Sequence, residues 1–122
     1  MVYSRFEELE VWKLTRKYVT KIYEITNNNN FKKDFALRDQ IRKASISIFS
    51  NISEGFERQS NLEFIRFLYI AKASAGETRA QLYVASDLKY INEKDFELLI
   101  SESEKISKSI SGFIKYLKTV KR

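Results

Sequence analysis

Hydrophobic positions recur at three- and four-residue spacing along nearly the whole chain, and no stretch alternates for long enough to make a convincing strand. Residues 6–26 read as a first amphipathic helix, with Val11, Trp12, Val19, Ile22, Tyr23 and Ile25 inward and Lys13, Lys17, Lys21 and Glu24 outward. The run Asn27 to Asn30, followed by Phe31, Lys32, Lys33 and Asp34, is poor helix material and reads as the first connection. A second helix covers residues 35–58, a third 61–91 and a fourth 93–120. Ser60 with Glu63 forms an S-x-x-E capping box ahead of the third helix, and Asn92 with Asp95 caps the fourth. In the fourth, Phe96, Leu99, Ser103, Ile106, Ile110, Phe113 and Leu117 follow the 3,4 repeat of a bundle seam. The connection between the second and third helices is short, which makes them antiparallel neighbours. The expectation is a single all-α domain over residues 1–122, an up-down-up-down antiparallel four-helix bundle.

The second and third helices are apolar on more than one side. In the second, Leu37, Ile41, Ala44, Ile48 and Ile52 form one stripe, and Ile46, Phe49 and Phe56 lie on nearly the opposite side. One stripe closes a bundle; the other needs a further partner, because burying three such side chains is worth roughly 1.5–3 kcal/mol each and monomers rarely leave such surface wet. Self-assembly is the first inference, with Ile46, Phe49 and Phe56 as the candidate interface. The third helix carries Phe64, Leu68, Ala71, Ala75, Leu82 and Ala85 on one stripe and Ile70, Ala73, Ala80, Val84 and Leu88 on another.

Composition narrows the chemistry. With no proline, three glycines and 31% charged residues, the chain suits long uninterrupted helices. It has no cysteine and no histidine, which excludes disulfides and thiolate chemistry and removes the commonest general base and the usual zinc, copper and di-iron ligands. No apolar run is long enough to span a bilayer and no signal peptide opens the sequence, so a soluble cytoplasmic protein without membrane contact is expected. The formal charge of +6 is unevenly placed. Lys105, Lys108, Lys115, Lys118, Lys121 and Arg122 occupy a segment free of acids and equal the whole excess, and Lys13, Arg16, Lys17 and Lys21 form a second acid-free stretch. Such clusters are the electrostatic footprint of a phosphate-binding protein, although a solvated helix face carries the same pattern.

Some polar residues stand in apolar company. Gln40, Ser47, Asn51 and Glu54 share a seam beside the main stripe of the second helix, and Glu77 sits within the second stripe of the third. A catalytic carboxylate pair or metal site is one reading; buried polar networks that fix helix register or an interface are the other. The structural reading is preferred. Two carboxylates without histidine make a poor metal site, the short connection does not bring Glu54 and Glu77 into register, and no nucleophile–base pair, phosphate loop or dinucleotide fingerprint is present. No enzyme activity and no cofactor or metal are expected.

Taken together, FEELEVWKLTRKYV near the start, LRDQIRKASISIFSNISEGFER in the second helix and EFIRFLYIAKASAGETRAQL in the third resemble one family. These are the small four-helix, ribosomal-protein-like proteins encoded in intervening sequences of bacterial 23S rRNA genes, to which the accessory variability proteins of diversity-generating retroelements are related. The N-I-x-E-G stretch from Asn51 to Gly55 is the most specific part. The pattern maps onto Gln40, Ile41, Ala44, Ser47, Ile48, Asn51, Ile52, Glu54 and Gly55, then Phe64, Phe67, Leu68, Ala71, Ser74 and Glu77. The chain departs from it at Ala73 and Lys89, where the family usually has glycine, and lacks the proline common before the second helix. The resemblance implies a ring-like homopentamer and a non-enzymatic role in binding RNA or DNA. The rival it leaves open is a scaffold that docks a partner such as a reverse transcriptase.

Overall fold

The computed structural model describes residues 3–120. A 3-10 turn, Phe6–Glu8, leads into α1 (Glu10–Thr26), a short α2 (Asn29–Lys33) and three long helices, α3 (Phe35–Glu57), α4 (Asn61–Asp87) and α5 (Glu93–Leu117). The described residues are thus all-α, with four long helices on one hydrophobic core. None of the helices is long and apolar enough to cross a membrane.

Local chemistry sets the helix ends. Asp34, Ser60 and Asn92 each accept a hydrogen bond from the N–H three residues on, at 3.1, 3.3 and 2.7 Å, and so satisfy donors the first turn would leave orphaned. α4 ends at Asp87, short of the periodicity-based limit at Ile91. Lys89 takes a left-handed φ of 63° and the Tyr90 N–H reaches back to the Ala85 carbonyl at 2.9 Å, a Schellman turn built without glycine.

Two readings of the first third of the chain need correction. α1 begins at Glu10 rather than Phe6, because Leu9 is extended and buried. The Glu8 carboxylate accepts from the Ser4 and Arg5 N–H groups at 2.9 and 3.2 Å, bonds that hold it below the usual carboxylate range. This break turns Phe6 in against Trp12 and Phe56. The supposed connection after α1 contains α2, whose Phe31 is fully buried against Tyr90. Burying that ring outweighs the weak helix propensity of the asparagines around it.

The inward stripe of α1 is Val11, Thr15, Tyr18, Ile22 and Thr26. Thr15 and Thr26 can face the core because their hydroxyls donate to the Trp12 and Ile22 carbonyls of their own helix. Tyr23, read as inward, is 38% exposed.

α1 packs on α3 and α5, and α4 packs on the same two helices, so α1 and α4 occupy opposite corners of the core. Trp12 Nε1 donates to Ser53 Oγ at 2.8 Å and Arg42 Nε to Thr26 Oγ1 at 2.8 Å, which pairs each end of α1 with the far end of α3. Ser47 and Ser74 join α3 to α4, and Ser103 bonds both Arg79 and the Ala75 carbonyl across α4 and α5. Gly55 permits the tightest approach. A Cβ there would lie 2.6 Å from Phe67 Cβ and 3.0 Å from Phe64 Cδ1.

The two-sided pattern of α3 is satisfied inside the chain. Phe56 is only 6% exposed and packs edge-on against Phe6 and Phe64, and Phe49 packs against Trp12. Ile46 is half-buried. Phe49 and Phe56 are covered by α1 with its preceding turn and by Phe64 of α4, so Phe56 is unavailable to a second copy, while Ile46 lines an open depression. The second stripe of α4 behaves differently: Ile70, Ala73, Ala80, Val84 and Leu88 stay exposed, joined by Leu62, Tyr69 and Tyr83.

Candidate nucleic-acid interface

The basic residues of α1 and α5 are exposed on two helices that pack against each other. Lys13, Arg16 and Lys17 are exposed on α1, and Lys105, Lys108 and Lys115 on the outer face of α5. Lys21 Nζ contacts Glu102 Oε1 at 2.6 Å and fixes the register between the two helices. One turn back along α1, Lys17 comes to the level of Lys105.

These cations are not equally free. Lys21 is engaged by Glu102, and Lys13 lies 3.7 Å from Glu10. Arg16 stands over the Trp12 ring at 5.9 Å, and Lys118 turns towards α4, 3.4 Å from the Tyr69 hydroxyl. Lys17, Lys105, Lys108 and Lys115 have no carboxylate partner among the described residues. Lys121 and Arg122 lie outside those residues. A shallow groove of about 490 Å³ runs along α1, lined by Leu14 and Thr20, by the cations Lys13, Arg16, Lys17 and Lys21, and at its two ends by Glu10 and Glu24. The larger cavity, about 650 Å³, sits where the α1–α2 and α4–α5 connections meet. Glu93, Asp95 and Glu97 line it and would repel a phosphate.

The polar residues singled out in the sequence separate into two groups. Ser47, Asn51 and, from α4, Ser74 form a connected network: Ser47 Oγ lies 2.8 Å from Ser74 Oγ, and Asn51 Nδ2 donates to the Ser47 carbonyl at 2.7 Å and to its hydroxyl at 3.0 Å. Gln40, Glu54 and Glu77 are exposed and outside it. Glu54 accepts from Arg58 at 3.2 Å and Glu77 from Gln81 at 3.3 Å, so neither carboxylate is a buried network member. The cause is angular: Glu77 follows the outer stripe of α4, which no helix among the described residues covers. Register from the Ser47–Ser74 pair sets Glu54 level with Phe67 and Glu77 level with Ala44, well apart. No group of three or more carboxylates among the described residues could hold a metal ion.

Sequence periodicity missed a second polar cluster. Tyr18 is fully buried between helices with its hydroxyl beside Ser103, and burial pushes the phenol's pKa up. Arg79 reaches Ser103 Oγ at 3.3 Å. A tyrosine at three- and four-residue spacing from Thr15 and Ile22 was the available signal, obscured by the polar threonines on the same stripe.

The model of the 23S rRNA-intervening sequence protein family matches residues 7–112. The chain belongs to this family. Its fold is also that of a solved structure described as a protein with unknown function from the S23 ribosomal protein family of Bacteroides thetaiotaomicron VPI-5482. That structure is 30% identical, with a TM-score of 0.78, and the match covers 86% of this chain and 98% of that one. No curated protein sequence matches. In this member of the 23S rRNA-intervening sequence protein family, the Asn51–Gly55 stretch has a physical basis. Asn51 donates to Ser47 of its own helix, which makes the polar link to Ser74 of α4, Ile52 fills the core and Gly55 lets the two helices touch.

Proposed function

We propose that this protein is a non-enzymatic, cytoplasmic, homo-oligomeric nucleic-acid-binding protein whose α1–α5 edge meets the phosphates of RNA or DNA. The observation that carries the reading is the set Lys17, Lys105, Lys108 and Lys115, exposed on adjacent helices and free of carboxylate partners. Unpaired surface cations release counterions from a nucleic acid, whereas cations already bridged to glutamate do so less. The pairings between helices support an up-down-up-down bundle as the protomer. The uncovered stripe of α4 is the contact between copies, and the family resemblance supports a pentamer as the assembly. Since α4 lies at the corner opposite α1, a ring closed through α4 leaves the α1 faces outward, and repetition multiplies each weak protomer contact.

No helix-turn-helix or comparable base-reading element stands on this edge, so phosphate contacts supply the affinity. Reversing Lys105, Lys108 and Lys115 together to glutamate weakens binding of RNA and DNA alike. The slope of log K against log salt falls by about 0.9 for each duplex phosphate that a lysine no longer neutralises. A salt titration of wild type and this variant is the test, and identical slopes would remove the α5 face from the site. The exposed α4 stripe also fits a second reading, a scaffold docking a partner protein such as a reverse transcriptase; failure of the wild type to bind any nucleic acid at low salt would favour it.

A further inference from the structure

Along the outer side of the α1–α3 pair, an aromatic ring and a guanidinium group stand together at three places. Tyr23 on α1 is 38% exposed, and the Arg42 guanidinium from α3 lies 4.5 Å from its ring centre while Arg42 Nε donates to Thr26. Toward the start of α3, Phe35 is 64% exposed with the Arg38 guanidinium 4.8 Å from its ring. In the other direction Arg16 stands over Trp12. Of these three pairs, Phe35 with Arg38 stands beyond the end of α1, beside α2, while Tyr23 with Arg42 lines a depression of about 350 Å³ together with Asp39, Lys43 and Ile46. Its one carboxylate, Asp39, accepts from Arg38 Nε at 3.0 Å, which leaves Arg42 and Lys43 to set the sign of the local potential.

We infer that this surface binds an unpaired stretch of RNA or DNA, with bases stacked on Tyr23 and Phe35 and the intervening phosphates held by Arg42 and Lys43. The chemistry selects that occupant. Exposed ring and guanidinium planes offer stacking surfaces to any base, and neighbouring cations track a backbone, the combination by which single strands are held without sequence readout. A duplex cannot use the surface in this way, because its bases are already stacked on one another. Arg16, two turns before Tyr23 on α1, belongs to the α1 basic groove, so a strand leaving the depression along α1 runs onto the phosphate-binding edge. The inference rests on the nucleic-acid reading above and adds to it a preference for unpaired segments.

The test is fluorescence anisotropy of a labelled single strand of about twelve nucleotides and of the duplex of equal length, with wild type, Tyr23→Ala, Tyr23→Phe, Phe35→Ala and the triple lysine reversal. Wild type should bind the single strand more tightly. Tyr23→Ala should lose roughly five- to a hundredfold in single-strand affinity with duplex affinity unchanged, and Tyr23→Phe should retain wild-type binding. Phe35→Ala, which removes a ring that touches little else, should weaken the single strand in the same direction and guards against a folding defect in the Tyr23 variant. Single-strand affinity unchanged in both alanine variants would overturn the inference, and if the lysine reversal still weakened both ligands the phosphate-binding reading would survive it. Absence of binding by wild type to either ligand at low salt would overturn both.

Discussion

α3 and α4 carry the same kind of sequence pattern and meet opposite fates. Each has a core stripe and a second apolar stripe. On α3 the second stripe is covered by α1 and the turn before it, with Phe56 buried and Phe49 against Trp12; on α4 it remains open to solvent. The difference lies in the angle from the core. At 100° per residue Phe56 and Phe49 fall about 60° and 80° from Ile41, not on nearly the opposite side as the sequence reading has them, and so inside the arc that two flanking helices cover; only Ile46, at about 140°, turns outward. Ala80 and Val84 fall about 180° and 220° from Ala71, on the far side of the helix. A second stripe therefore argues for a second molecule only when it points away from every neighbour in the same bundle.

The sharpest way to break this contrast is to remove a ring from each kind of stripe. Phe56→Ala should cost the protomer about 3–5 kcal/mol, a large part of the 5–15 kcal/mol typical of a whole domain, because the ring fills space against Phe6 and Phe64. Chemical denaturation measures it, and a loss below about 1 kcal/mol would mean that the α3 stripe is not core. Gly55→Ala should cost less, about 1–3 kcal/mol. Its new methyl meets the Phe67 Cβ, which is anchored to backbone and cannot swing aside, so α3 and α4 must separate. An unchanged midpoint in the same titration would show that the two helices have slack at this contact.

The long helices, their caps and the α4 core stripe were legible because each rests on local chemistry: the side-chain oxygens of Ser60 and Asn92, or the repeat of Phe64, Leu68, Ala71 and Ala75. What escaped was set by tertiary context. Phe31 makes a helix of an asparagine run by burying itself against Tyr90, a residue on the far side of the sequence. Tyr23, read as inward, is exposed, while Tyr18, given no role in the sequence reading, is buried, since both fit an apolar face and only the positions of α3 and α5 decide between them. Lys89 adopts the left-handed turn that the family pattern assigns to glycine, so the departure changed the residue and left the backbone path intact. Among the basic residues the clusters were visible from charge alone, but which lysines are free was not, because the Lys21 partner, Glu102, belongs to another helix.

The smallest effect on the fold should come from the α4 side of the contrast, through Val84→Glu. Val84 is 47% exposed on a face that no other helix among the described residues covers, and glutamate is a better helix former than valine by a few tenths of a kcal/mol. The protomer's stability, measured by denaturation at low protein concentration, should thus stay within about 0.5 kcal/mol of wild type. Assembly should not survive, because closing a contact over this position buries an unpaired carboxylate at a cost of several kcal/mol. Light scattering at micromolar concentration reads the second quantity, and the two together separate folding from association. A stable variant that dissociates fits α4 as the contact between copies. A variant that scatters like an oligomeric wild type would move the contact elsewhere, and a wild type that is already monomeric would leave the α4 stripe to a different protein, as the scaffold reading requires.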